Sequence, residues 1–346
     1  MTGMSISIML LVVIGIALVF DFLNGFHDAA NAIATIVITR TLTPLQAVIL
    51  AGLANCVGYF TLGTAIAKTI GKGVIHIDLI PPTWILPMLF SALMGAVIWN
   101  IITWFFGLPT SSSHALIGGL LGAALTAIGP KAMVLGSLFS GGIIQIMAFI
   151  VIAPVIGFLG SAFFTTLIFI IFQKIRPHKI KDVFKYLQLV SASAYCVGHG
   201  TNDAQKTMGV ITLALVAGGV LPEFKEVPGW VALACYAAIG LGTMCGGWRI
   251  VKTMGTKITK IHAIEGFCAE TSAAIVLQVT GHFGIPVSTT HVISGAIMGV
   301  GAVESAAKVR WVTARTIVWA WFLTVPATAA CASLSFLIIH LVLGLA

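Results

Sequence analysis

Asn24-Gly25-Phe26-His27-Asp28-Ala29-Ala30-Asn31 is a knot of hydrogen-bonding side chains inside an otherwise apolar segment. Apolar residues flank it on both sides, from about Ile6 to Phe22 and from Ala32 to Ile38. A carboxylate at mid-membrane depth costs roughly 2.5 to 3.5 kcal/mol on insertion scales, so a chain keeps one there mainly to hold an ion or a substrate. The stretch has an echo 175 residues later, His199-Gly200-Thr201-Asn202-Asp203-Ala204-Gln205-Lys206, in which Gly25 pairs with Gly200, His27 with Asn202 and Asp28 with Asp203. Two such copies imply one site shared by two halves. Gly25 permits an unwound backbone, so the spacing predicts two half-helices around a polar joint.

The surrounding composition sets the class. Of 346 residues 59% are hydrophobic and only 8% charged, against roughly a quarter charged in a soluble domain. Mean hydropathy is +1.09. The apolar runs approach or exceed the roughly 20 residues a helix needs to cross hydrocarbon, and they lack the alternation of barrel strands. The chain therefore reads as an all-α integral membrane protein. The net charge of +8 reports topology and excludes a nucleic-acid role, because 12 of the 18 Lys and Arg fall in three clusters between apolar runs. These are Lys174, Arg176, Lys179, Lys181 and Lys185; Arg249, Lys252, Lys257 and Lys260; and Lys308, Arg310 and Arg315. All three are expected to face the cytoplasm. No Lys or Arg precedes Arg40, which predicts a retained first span and an outside N-terminus. The six cysteines are scattered singly, with no metal spacing, and read as small buried hydrophobes.

A second motif recurs in the same order. Gly107-Leu108-Pro109-Thr110-Ser111-Ser112-Ser113-His114 matches Gly284-Ile285-Pro286-Val287-Ser288-Thr289-Thr290-His291 at an offset of 177, and the following glycines Gly118 and Gly122 match Gly295 and Gly299. Proline followed by hydroxyls is a helix-start signature, and at membrane depth it predicts re-entrant or broken helices. Glycines so spaced allow close helix packing. Two motifs at nearly one offset define an internal duplication. The halves are 1–173 and 186–346, joined by a short basic loop at 174–185. Span counting gives about 10 to 12 transmembrane segments, with an inverted second half if each half crosses an odd number of times. The run from Ala132 to Phe172, interrupted at Pro154, and the run from Thr316, interrupted at Pro326, each read as one or two spans.

The chemistry divides between cation and anion. Asp28 and Asp203, with Asn24, Asn31, Asn202 and Gln205 within one or two turns, form oxygen-rich clusters that suit a hard cation such as Na⁺, or a proton on the carboxyl itself. Ser111, Ser112, Ser113, Ser288, Thr289 and Thr290 gather hydroxyls and free N–H groups at helix starts, where a tetrahedral oxyanion can be held. Lys206 stands where the first half has Asn31, and meets substrate charge or neutralises Asp203. Glu270, inside the apolar run before the second hairpin, breaks the symmetry as a candidate for a coupling ion or proton, or as a carboxyl bonded between helices. Asp21 and Glu265 are weaker candidates. His27, His114, His199 and His291 either shuttle protons or hold structure.

The two Asp motifs and the segments Pro109–His114 and Pro286–His291 together resemble the paired signatures of the inorganic phosphate transporter family, over nearly the whole chain. The long hydrophilic central loop of larger members is missing. The resemblance implies uptake of inorganic phosphate by symport with Na⁺ or H⁺, through an inverted-repeat homodimer in the cell membrane, with no cofactor beyond the coupling ion. It implies that Asp28, Asn31, Asn202 and Asp203 lie at the phosphate and cation sites, and that Ser111–Ser113 and Ser288–Thr290 cradle the anion. The family includes Na⁺-coupled, H⁺-coupled and metal-phosphate members, and some relatives carry sulfate. A sulfate permease and a passive anion channel are the nearest alternatives. An intramembrane hydrolase is disfavoured, since no Gly-x-Ser-x-Gly elbow exists and adjacency of Ser113 and His114 places no base on a nucleophile.

Overall fold

The computed structural model describes residues 3–60, 63–175 and 177–344. Among these there are twelve α-helices and no β-strand. They are α1 (Gly3–Ile38), α2 (Pro44–Val57), α3 (Ala65–Lys72), α4 (Pro82–Phe106), α5 (Ser112–Ile128), α6 (Gly142–Phe172), α7 (Pro177–Ala217), α8 (Gly229–Cys245), α9 (Trp248–Lys252), α10 (Ala263–His282), α11 (Thr289–Glu304) and α12 (Trp311–Leu343). The all-α membrane fold expected from composition is the fold observed. Four helices are long and apolar enough to cross a membrane: Ile8–Ile38, α4, α6 and α12. Two bent pairs, α2 with α3 and α8 with Trp248–Lys257, raise that number to six if each pair is one span. The second pair turns through 59°. The remaining long helices, α7 and α10, carry buried polar groups, among them Asp203, Lys206 and Glu270. At 17 and 16 residues, α5 and α11 are about 25 Å long, shorter than the roughly 30 Å of a hydrocarbon core.

The duplication governs the packing. Helices α1 to α6 correspond in order to α7 to α12, and the two sets interlock. α1 packs on α8 as α7 packs on α2, and α5 packs on α12 as α6 packs on α11. Glycines make these approaches. A Cβ on Gly122 would lie 2.2 Å from the carbonyl oxygen of Ala329 in α12, and one on Gly299 would lie 2.2 Å from that of Phe158 in α6. The small-residue spacing thus acts as the sequence predicts, as a close helix contact.

Three expectations are corrected. First, α1 and α7 run unbroken through both Asp motifs, so no unwound joint forms at Gly25 or Gly200. These glycines serve helix approach instead. A Cβ at Gly25 would sit 2.1 Å from the Ile239 carbonyl oxygen of α8, and one at Gly200 would sit 2.5 Å from the Asn55 carbonyl oxygen of α2. Second, the basic stretch after Lys174 is mostly helix: from Pro177 it forms the start of α7. Ile180 and Phe184, one turn apart, are buried against Ala263 and face α6 and α10, with the Phe184 ring 5.4 Å from both Phe172 and Phe267. Apolar residues at helical spacing outweigh the charges between them. Arg176 lies outside the described residues. Third, Pro154 and Pro326 interrupt nothing: α6 and α12 are single helices with a proline inside. α6 begins at Gly142, ten residues beyond Ala132, because Gly136 and Gly141 before it and Gly142 at its start hold positive φ.

Candidate functional site

The prolines and hydroxyls of the second motif pair do start helices. Ser111 Oγ accepts from the His114 N–H at 3.1 Å, and Ser288 Oγ from the His291 N–H at 3.2 Å. Each serine caps its own helix and satisfies one of the free N–H groups there. The helix starts of α5 and α11 are thereby fixed in the interior, facing the middle of α1 and α7.

Asp28 of α1 and Asp203 of α7 converge between them. One carboxylate oxygen of each, with a ring nitrogen of His199, all lie within 4.8 Å of one another, in a cluster that could hold a metal ion. All three residues are buried. Two bare carboxylates at that distance repel by about 3 kcal/mol at an effective dielectric of 20, so the pair calls for positive charge. Part of it is built in. Lys206 Nζ lies 2.5 Å from Asp203 Oδ1, donates to Ser113 Oγ, and donates to the Val287 carbonyl at 3.0 Å. The Thr289 hydroxyl donates to Asp203 Oδ2 at 3.2 Å, and His199 Nε2 stands 3.3 Å from the same oxygen.

Asp28 is held differently. His27 Nδ1 lies 2.9 Å from Asp28 Oδ1, with its Nε2 3.1 Å from the Thr103 hydroxyl of α4. The Thr290 hydroxyl lies 3.4 Å from Asp28 Oδ1 and 3.2 Å from the Thr110 carbonyl, and accepts from Asn31 Nδ2 at 2.8 Å. Each carboxylate is therefore met by hydroxyls from the helix starts, and Asp28, in the first half, is met by one from α11, in the second. Ser112, at the position equivalent to Thr289, has a buried hydroxyl with no hydrogen-bond partner among the described residues.

Other residues singled out in the sequence lie elsewhere. Gln205 Oε1 accepts from the Ile66 and Ala67 N–H groups at 3.0 and 3.4 Å, capping α3. Asn202 Nδ2 donates to the Gly198 and Leu277 carbonyls at 2.8 and 3.1 Å, tying α7 to α10, while its Oδ1 has no partner among the described residues. Asn24 is buried on α1 one turn before the site, its Oδ1 likewise without a partner among the described residues. Glu270 belongs to a separate cluster. Its carboxylate accepts from Thr35 at 2.5 Å, Ser191 at 2.6 Å and Gln188 at 3.1 Å, joining α1, α7 and α10. The geometry is that of a carboxyl bonded between helices. Asp21 accepts from Thr207 at 2.9 Å, and Glu265 caps α10 by accepting from the His262 N–H at 2.9 Å. His114 and His291 pack ring to ring at 4.8 Å, and His291 stacks on Trp321 at 4.1 Å.

The carbonyls of Thr110 and Val287 escaped the sequence reading. They contribute backbone atoms, so residue type carries no signal for them. The positions themselves were available, since Thr110 and Val287 are equivalent members of the repeated motif.

Long apolar helices that bring a buried acidic pair between two hydroxyl-capped helix starts fit the architecture of a membrane transport protein. Comparison with known proteins narrows this. Residues 24–332 match the Phosphate transporter family. The chain is 48% identical over 329 residues to a Rhizobium meliloti protein named "Probable low-affinity inorganic phosphate transporter", covering 95% of this chain and 96% of that one. A Bacillus subtilis protein of the same name is 40% identical over 340 residues, covering 98% and 100%. A solved structure titled "The sodium-dependent phosphate transporter" superposes with a TM-score of 0.86 at 25% identity, covering 96% of this chain and 99% of that one. The chain belongs to the phosphate transporter family.

Proposed function

We propose that this protein is a secondary active transporter that takes up inorganic phosphate across the cell membrane by symport with Na⁺ or H⁺. The observation that carries the reading is the meeting of Asp28 and Asp203 between the hydroxyl-capped starts of α5 and α11. The helix starts present N–H groups and Ser112, Ser113, Thr289 and Thr290 hydroxyls to an oxyanion. The carboxylates oppose that anion until cations or protons offset them, and this opposition couples the two fluxes. The titles of the relatives and of the solved structure, which name phosphate and sodium dependence, point the same way.

Asp28, Asp203, Ser112, Ser113, Thr289 and Thr290 are each 3% exposed or less, so substrate reaches them only after helices part. Alternating access supplies that movement: two interlocked repeats, inverted relative to each other, rock about the buried pair. The assembly is a homodimer in this reading.

The test is uptake of ³²P-phosphate into proteoliposomes under an imposed Na⁺ gradient, a proton gradient and no gradient, with ³⁵S-sulfate in parallel. Accumulation of phosphate above its external concentration under one gradient is expected, and it names the ion. Equilibration without accumulation would make the protein a passive channel, and preferential accumulation of sulfate would overturn the substrate.

A further inference from the structure

The two half-sites can be matched residue by residue through the sequence repeat. Asp28, Asn31, Thr110 and Thr290 of one correspond to Asp203, Lys206, Val287 and Ser113 of the other. The structure preserves the correspondence. In the first, the Asp28 carboxylate, the Thr290 hydroxyl and the Thr110 carbonyl lie together, with Asn31 reaching the hydroxyl at 2.8 Å. In the second, the Asp203 carboxylate, the Ser113 hydroxyl and the Val287 carbonyl lie together, and the Lys206 ammonium sits on all three.

A carboxylate, a hydroxyl and a backbone carbonyl are hard oxygen ligands of the kind that take alkali and alkaline-earth cations. An ammonium has three N–H donors, and here each is spent on one of those oxygens. No donor remains for phosphate, so the arrangement speaks against Lys206 as a ligand of the anion. Lys206 is buried, at 1% exposure, so its amino group is a fixed part of the interior.

We propose that Lys206 is a tethered cation. Its ammonium takes the position in the second half-site that a free monovalent metal ion would take, and the first half-site, built by Asp28, Thr110, Thr290 and Asn31, is the one open to a dissociable cation. The inference rests on the transport reading above and sharpens it. Phosphate uptake by this chain uses one dissociable cation fewer than uptake by the same fold with asparagine in both repeats.

The experiment counts ²²Na⁺ bound at saturation by the purified full-length protein, in parent, Lys206→Asn, Lys206→Met and Lys206→Arg forms. Thermal unfolding of each is followed in NaCl and in choline chloride. Lys206→Asn, which restores the first repeat's residue, is expected to bind one more Na⁺ per chain than the parent. Its unfolding midpoint should rise with NaCl by more than the parent's, because an ion bound to the folded state stabilises it. Lys206→Arg, which keeps a tethered charge, should retain the parent count. Equal counts in parent, Lys206→Asn and Lys206→Met would overturn the inference, as would failure of both neutral variants to fold even in NaCl, since a free ion then cannot replace the ammonium. Phosphate uptake by the parent in the same preparation keeps the two ideas separate. A parent that moves no phosphate removes the transport reading and leaves the Na⁺ count to judge Lys206; a transporting parent with equal counts removes only the tethered cation.

Discussion

Replacing Asp28 by asparagine is expected to lower the initial rate of gradient-driven phosphate uptake about 100-fold while leaving the protein folded. Asparagine keeps the shape and one acceptor oxygen, so the contacts of Asp28 with Thr290 and His27 can persist in outline. What it removes is the charge. A hydrogen bond or ion contact to a buried charged group is worth roughly 1.5 to 3 kcal/mol. At 1.4 kcal/mol per factor of ten, the upper end of that range is about 100-fold in cation binding. Initial rates of ³²P-phosphate uptake in proteoliposomes measure it. A variant within about threefold of the parent would show that Asp28 is not part of the coupling site. Asp28 is the cleaner choice of the two acids, because Asp203→Asn also strips Lys206 of its carboxylate partner.

Gly25→Leu is expected to abolish recovery of folded protein, where Gly15→Leu is tolerated. The first added carbon at Gly25 would fall 2.1 Å from the Ile239 carbonyl oxygen, with the Ile239 carbonyl carbon at 2.9 Å and Cα at 3.0 Å. All three are backbone atoms of α8, so relief requires a helix to move rather than a side chain to turn. Overpacking of this kind costs about 1 to 3 kcal/mol or more. Gly15 lies on the same helix with nothing within 4 Å of its added carbon. Gel filtration after detergent extraction reads the outcome as the monodisperse fraction. Equal monodisperse fractions for the two variants would mean that α1 and α8 do not approach as described.

Much of this organisation was legible in the chain. Composition announced a membrane protein, and the recurrence of the two Asp motifs and the two Pro-hydroxyl motifs at offsets of 175 and 177 announced a duplication. Local chemistry carried the helix starts, since proline followed by hydroxyls marks a helix beginning, while Ser111 and Ser288, read as anion ligands, spend their oxygens on capping. The path of α1 and α7 was not legible. A glycine beside a polar motif permits an unwound backbone and also a close helix neighbour, and only the positions of α8 beside Gly25 and α2 beside Gly200 decide between them. Gln205 was misplaced for the same reason: its acceptors' partners are the N–H groups of α3, some 140 residues away, and nothing near Gln205 in sequence signals them. Glu270 reads as an isolated acid in an apolar run until Thr35, Gln188 and Ser191 arrive from two other helices. Lys206 shows the reverse. Its departure from Asn31 was visible at once, but the choice between substrate and Asp203 needed the three oxygens around it.

The claim on which the rest depends is that two repeats build one site. Equilibrium binding of ³²P-phosphate to the purified protein, titrated to saturation in the presence of the coupling ion and normalised to chain concentration, addresses it directly. One phosphate per 346-residue chain is the expected stoichiometry. Two per chain, with each repeat binding its own anion at its own helix start, would contradict it.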